Sequence, residues 1–153
     1  MPKISRIEML KKNEQPTMYI RTRTSVEKLP QLIGECYEKL AAYLKEMDEQ
    51  LSEVPYVAYY NMDMQDLDVE IGFPMAKPMP NKGEIKAGSI PAGKRIFCMY
   101  QGPYNEIESI YNEMATWIVE KGFKSEGIAY EFYYNDMEYP ESQWLTKVEM
   151  PIK

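Results

Sequence analysis

The strongest constraint on this chain is that its second half repeats its first. Leu29, Leu32 and Cys36 fall on one stripe of an amphipathic segment, and Ile107, Ile110 and Met114 take the same spacing at a constant offset of 78. Tyr59-Tyr60-Asn61 matches Tyr133-Tyr134-Asn135 at an offset of 74, and Val69-Glu70 matches Val148-Glu149 at 79. Such self-similarity means one structural unit used twice, with the drift in offset absorbed by loops. The repeats run over about 1–80 and 81–153, in a chain of 153 residues that fits one domain.

Each half reads as strand-helix-strand-strand. Ile4 to Met9 is a short candidate strand, and Thr17 to Thr24 a better one, with Met18 and Ile20 on one face. Leu29, Leu32, Ile33, Cys36, Leu40, Tyr43, Leu44 and Met47 then follow helical spacing, with Pro30 tolerated only in the first turn. Tyr56 to Asn61 is a strand, and Leu67 to Phe73 alternates apolar and polar residues. A loop rich in Pro and Gly, from Pro74 to Gly83, marks the midpoint. In the second half, Glu84 to Ile90 and Lys94 to Tyr100 are strands. Asn105 and Glu108 have capping-box spacing before a helix whose stripe is Ile107, Ile110, Tyr111, Met114, Trp117 and Ile118, with Gly122 as its stop. The stretches Ile128 to Asp136 and Gln143 to Ile152 complete the set as strands. The predicted fold class is α+β: two strand-helix-strand-strand units joining in one antiparallel sheet, with both helices on one face. The other face is then a concave, aromatic-lined groove suited to a ligand.

Composition removes several chemistries. Histidine is absent, which excludes Ser-His-Asp and Cys-His catalysis and His-ligated zinc. Cys36 and Cys98 form no disulfide or metal pattern, so no metal is expected and a reduced, cytoplasmic protein is the simpler reading. Gly93-Lys94 lacks the rest of a phosphate-binding loop, and no cofactor is expected. A net charge of −6 argues against nucleic acid as a partner, and no apolar run reaches the roughly 18 residues of a membrane span. The 13 tyrosines and 12 methionines suit both a packed core and a pocket for bulky apolar molecules.

One residue stands out against this background. Glu131 interrupts the apolar and aromatic run Ile128-Ala129-Tyr130-Glu131-Phe132-Tyr133-Tyr134. Strand alternation places it on the face of Ala129 and Tyr133. Either its head reaches water from an edge strand, or it is a buried carboxylate that is hydrogen-bonded, paired, neutralised or kept for a ligand. Tyr133, its repeat-mate Tyr59, Tyr104 and Trp144 are candidate pocket walls, and Phe73 is a further candidate from the first half. Each could equally serve ordinary packing. Trp117 and Cys98 are read as core, and Glu70 and Glu149 as solvated carboxylates on the polar faces of their strands.

The stretches Asp68-Val-Glu-Ile-Gly-Phe-Pro74, Ile90-Pro-Ala-Gly-Lys94, Tyr100-Gln-Gly-Pro-Tyr104, Tyr130-Glu-Phe-Tyr-Tyr-Asn-Asp136 and Trp144-Leu-Thr146 occur in order across nearly the whole chain. In this order they resemble the GyrI-like family, the small-molecule (effector) binding domain found alone or fused to DNA-binding regions in multidrug-sensing regulators. The resemblance implies a duplicated fold with a central apolar pocket and a key glutamate, here Glu131, that meets lipophilic cations amid aromatic rings. It also implies three readings. The first is a stand-alone binder of bulky, planar, apolar or cationic compounds, acting by sequestration or sensing, since no helix-turn-helix segment is visible. The second is a hydrolase that opens the cyclopropane of yatakemycin-type DNA-alkylating compounds, with Glu131 or Tyr133 assisting proton movement. The third is an interaction protein acting on a topoisomerase-like partner, for which no exposed motif stands out.

Overall fold

The structure, a computed structural model, describes residues 5–135 and 139–153, apart from the side chain of Asn105. Ile4, which opens the first candidate strand, and Asp136, which closes the strand of Glu131, lie outside the described residues, as does the capping side chain expected of Asn105. The elements run β1 (Glu8–Lys12), β2 (Gln15–Thr24), α1 (Leu29–Glu46), β3 (Tyr56–Tyr59), β4 (Leu67–Pro74), β5 (Lys86–Ile90), β6 (Gly93–Gln101), α2 (Glu108–Glu120), β7 (Ala129–Tyr133) and β8 (Leu145–Pro151). The class is α+β, and the strand-helix-strand-strand order of each half is the predicted one. No helix among the described residues is long and apolar enough to cross a membrane.

Residues Glu14–Pro91 form one compact unit; residues 5–13 and 92–153 form another. In the first unit the strands are antiparallel in the order β3-β4-β2-β5. In the second the order is β7-β8-β6-β1, again antiparallel. The two patterns are the same, with β5 and β1 as equivalent outer strands. Each outer strand is drawn from the other half of the sequence: β1 precedes the first unit in the chain but pairs with β6, and β5 pairs with β2.

The ladder registers align the halves residue by residue. Tyr59 pairs with Val69 as Tyr133 pairs with Thr146, and Thr22 pairs with Val69 as Tyr100 pairs with Thr146. Taking Tyr59 as the counterpart of Tyr133, at offset 74, puts β4 against β8 at 77 and β2 against β6 at 78. The sequence offset of 79 is therefore corrected: Glu70 corresponds to Lys147, and Glu149 to Gly72. A strand slipped by two residues keeps every side chain on its face, so the apolar pattern alone does not detect the error.

In the second unit, Ile110, Met114 and Ile118 of α2 pack on Ile96, Cys98, Tyr100, Ala129, Val148 and Met150. Burying each such aliphatic side chain contributes roughly 1.5–3 kcal/mol. Ile107, not Asn105, takes the N-cap position of α2, after a tight turn over Tyr104–Glu106. Gly122 ends the helix at φ +80°, where a side chain would be strained. In the first unit, α1 buries Leu29, Cys36, Leu40, Tyr43 and Leu44, and its Tyr37 ring lies 5.6 Å from Phe73 of β4. The two cysteines are buried and unbridged.

Alternation along β7 puts Glu131 and Tyr133 on the face of Ala129, which is the face that carries α2. Glu131 therefore looks onto the helix-bearing face of its unit. Its own run of residues leaves that choice open, because both faces of the strand are apolar.

The face away from α2 holds buried charge, which corrects the reading of Glu149 and Glu70 as solvated. Glu149 is fully buried, with Arg95 Nη1 at 3.3 Å from Oε1, and Lys147 Nζ at 3.0 Å and Lys12 Nζ at 3.5 Å from Oε2. Lys147 also lies 4.7 Å over the Phe132 ring. In the first unit, Glu70 is buried and accepts hydrogen bonds from the Tyr56 and Tyr60 hydroxyls at 2.5 and 2.7 Å. Arg21 sits 3.7 Å over the Tyr60 ring while its guanidinium grips Asp68. Partners on neighbouring strands, invisible along the chain, are what make these carboxylates tolerable inside.

Candidate functional site

Glu131 lies in the middle of β7, opposite Val148 of β8, and is only 7% exposed. Its head does not reach water, so the edge-strand reading fails. Two phenols hold it. The Tyr111 hydroxyl, from α2, donates to Oε2 in a short hydrogen bond, and the Tyr133 hydroxyl, two residues along β7, donates to Oε1 at 2.8 Å. Each carboxylate oxygen therefore has a neutral donor. Among the described residues no cationic side chain pairs with Glu131, in contrast to Glu149 on the opposite face of the same strands.

The aromatic surround is built by adjacent elements. Gly102, at φ +138°, and Pro103 turn the chain out of β6, so that Tyr104 starts the short turn ahead of α2. The Tyr104 ring lies 5.3 Å from Tyr133 and stacks 4.8 Å from Trp144, at the entrance to β8. Trp144 is fixed from three sides: its indole Nε1 donates to Tyr139 O at 2.9 Å, its carbonyl accepts from Gly102 N at 2.8 Å, and Asn135 Oδ1 accepts from the next residue, Leu145, at 2.7 Å. Thr146, opposite Tyr133 on β8, contributes a hydroxyl near Tyr104. Thus β7, α2 and the turn before it place Tyr104, Tyr111 and Tyr133 around one carboxylate, and Trp144, at the entrance to β8, stacks on Tyr104.

The electrostatics follow from this geometry. Burial pushes the Glu131 carboxyl above the usual carboxylate range, and the hydrogen bonds from Tyr111 and Tyr133 pull it partway back. Tyr104 is pushed up to about 12, first by burial and then by the nearby Glu131, against a smaller opposing effect of Thr146. Its phenol therefore stays neutral throughout the physiological range. The site is a carboxyl group with a deficit of positive charge, walled by π faces. Chemically it can accept a cation, or keep a proton and offer it.

Of the residues singled out in the sequence, the structure brings Glu131, Tyr133, Tyr104 and Trp144 together. Tyr59 and Phe73 belong to the other unit, where Tyr59 is half-buried on the helix side of β3 and Phe73 packs against Tyr37. Tyr111 was read as one more residue of the helix stripe, and Thr146 was not singled out. A signal for both exists in the repeat: their counterparts are Ile33 and Val69, so a hydroxyl stands where the other half has a hydrocarbon. Among the described residues, no cluster of three or more Cys, Asp or Glu side chains is placed to hold a metal ion.

Comparison with known proteins places this arrangement in a wider setting. The fold matches EcmrR in an EcmrR–DNA complex at a TM-score of 0.86 with 17% identity, covering 97% of this chain and 57% of that one. The chain thus spans little more than half the length of that protein. It matches a hydrolase from Listeria innocua at a TM-score of 0.73 with 14% identity, covering 100% of this chain and 94% of the other. It matches SAV2435 bound to tetraphenylphosphonium at 0.64 with 10% identity, covering 97% and 94% of the two chains. At these identities the likeness establishes the fold alone. A search of curated proteins finds no match. The model of the GyrI-like small molecule binding domain matches residues 5–153. The chain belongs to the GyrI-like small-molecule-binding family.

Proposed function

We propose that this domain binds bulky, planar, apolar or cationic compounds over Glu131 and serves in protection by sequestration or in sensing. The observation that carries the proposal is the buried Glu131 carboxylate, hydrogen-bonded by two phenols, set among aromatic rings and matched by no cation among the described residues. A delocalised cation is cheap to desolvate, and a low-dielectric surround strengthens its attraction to the carboxylate. Each ring face adds roughly 0.5–2 kcal/mol by cation–π attraction. A neutral aromatic compound uses the rings alone. SAV2435, which shares the fold, holds tetraphenylphosphonium, and this makes it the natural probe.

The test is calorimetric titration of tetraphenylphosphonium into the wild type and Glu131→Gln. The substitution keeps the shape of the side chain and one acceptor oxygen and removes the charge, and the phenol that meets the new amide N–H must turn to accept from it. Affinity should fall at least tenfold, about 1.4 kcal/mol, with an unchanged circular dichroism spectrum. Equal affinity for the two proteins would end the assignment of Glu131 as cation partner.

A second reading is a hydrolase of cyclopropane-bearing alkylators of the yatakemycin type. What favours it is that a carboxyl group held above its usual range between two phenols is a competent proton donor. Incubating such a compound with catalytic amounts of protein and following its mass separates the readings. A water adduct formed well beyond the protein concentration means turnover, and intact compound means binding only.

A further inference from the structure

Among the described residues Glu131 has hydrogen-bond donors but no counter-charge, and that combination sets a rule for what can enter. Its described partners are the Tyr111 and Tyr133 hydroxyls. From the elements packed around it, the groups that face it are Tyr111 of α2, Tyr104 of the turn before α2, Thr146 and Val148 of β8, and Tyr133 of β7 itself. None carries a positive charge. Among the described residues of this unit, the cations that meet a buried carboxylate, Lys12, Arg95 and Lys147, belong to Glu149 on the opposite face of the sheet.

A low-dielectric interior penalises net charge far more than it penalises a neutral acid. With a proton on Glu131 the empty site is neutral, and burial favours that form. A bound lipophilic cation offers neutrality by a second route, as an ion pair with the carboxylate. The two routes exclude each other, because a cation beside a protonated Glu131 leaves an uncompensated positive charge.

We propose that the site takes up permanently charged organic cations in exchange for the proton of Glu131, whereas neutral aromatic compounds bind to the protonated site with no exchange. This inference rests on the reading of Glu131 as cation partner. The balance is simple: the carboxyl O–H bond breaks, its electron pair stays on the carboxylate, the proton leaves to buffer and the cation takes its place. The net charge of the site is zero before and after. Burial of Glu131, which raises its carboxyl above the usual range, brings the exchange toward neutral pH.

The experiment is titration calorimetry between about pH 5 and about pH 8, with phosphate and Tris as buffers of different ionisation enthalpy where their ranges overlap. The probes are tetraphenylphosphonium and, as neutral control, triphenylphosphine oxide. Below the midpoint of Glu131, affinity for the cation should rise by up to about tenfold per pH unit, with about one proton released per cation, and then level off. The neutral probe should bind without slope below the midpoint and lose affinity above it, where binding to the protonated site takes up a proton. Glu131→Gln should abolish the slope for the cation. Should that variant not fold, Tyr111→Phe, which weakens the hold on the ionised carboxylate, should move the slope to higher pH. A cation affinity that is flat in pH, with heats independent of buffer, would overturn the exchange and leave cation binding standing. A slope that survives in Glu131→Gln would overturn it too. No binding of tetraphenylphosphonium at any pH would overturn the reading on which it rests.

Discussion

Tyr111→Phe isolates the hydrogen bond that α2 contributes to the site. The ring remains, packed against the core of the unit, and only the hydroxyl that donates to Glu131 Oε2 is lost. A hydrogen bond to a charged group contributes about 1.5–3 kcal/mol and one to a neutral group about 0.5–1.5 kcal/mol. The hydroxyl therefore favours the ionised carboxyl over the protonated one by about 1–1.5 kcal/mol. If a cation must displace the proton of Glu131, losing that preference weakens cation binding about five- to twelvefold at a pH where the empty site is protonated. At a pH where the empty site is already ionised, the free and bound states lose the same bond, and affinity changes little. Binding of a neutral aromatic compound should hardly change at the pH where the empty site is protonated. Titration of tetraphenylphosphonium and triphenylphosphine oxide into both proteins, at one pH on each side of the midpoint, reads all four quantities. Equal weakening of both probes would mean that Tyr111 acts as a wall and not as a donor to a titrating group, and the reasoning would fail.

Other perturbations test the surrounding structure. Glu149→Gln leaves Arg95, which is 2% exposed, with its buried partner neutralised. A broken buried pair costs about 3–5 kcal/mol, and at about 2–4 °C per kcal/mol for a chain of this size the melting temperature should drop by roughly 6–20 °C; a drop under about 2 °C by thermal circular dichroism would return Glu149 to the solvated class. Gly72→Ala would bring a Cβ to 2.7 Å from Tyr56 Oη, directly across the ladder. The expected overpacking cost is about 1–3 kcal/mol, seen as a lowered melting temperature, and an unchanged one would mean that the Tyr56 ring moves aside freely.

Much of the fold was legible in the sequence because it rests on local periodicity. The stripe through Cys36 and Leu40 of α1, and that through Met114 and Ile118 of α2, recur at 78 residues and are buried in the structure. The alternation of Leu67, Val69, Ile71 and Phe73 likewise gives the buried face of β4. What was not legible depends on pairing. Only the ladders decide that Glu70 corresponds to Lys147, because a two-residue slip leaves the pattern unchanged. Only neighbouring strands supply Arg95 and Lys12 to Glu149. Only the helix that packs on β7 decides which of its two apolar faces Glu131 occupies. The candidate site divides in the same way. Glu131 and Tyr133 could be paired from strand spacing, whereas Tyr111 reaches the carboxylate across the helix–sheet interface and read in the sequence as core.

The duplication itself supplies a control for the meaning of Glu131. In the corrected alignment, Val57 stands for Glu131, Ile33 for Tyr111, Val69 for Thr146, Leu67 for Trp144 and Val26 for Tyr104; Tyr59 alone keeps the phenol of Tyr133. The first unit forms the same four-stranded ladder and packs the same helix with a hydrocarbon at each of the other five positions, and its Val57 and Val69 are fully buried. The architecture therefore has no need of a carboxylate, a threonine or these rings at those places. A buried carboxylate without a counter-charge is also a net cost to folding. Natural sequences depart from the locally consistent choice chiefly at sites where something other than stability is selected. The asymmetry between two halves of one fold thus separates what the scaffold requires from what has been added to it. The addition is a carboxyl group, two phenols, a threonine hydroxyl and an indole in one half of a repeated frame, beside a phenol that both halves keep.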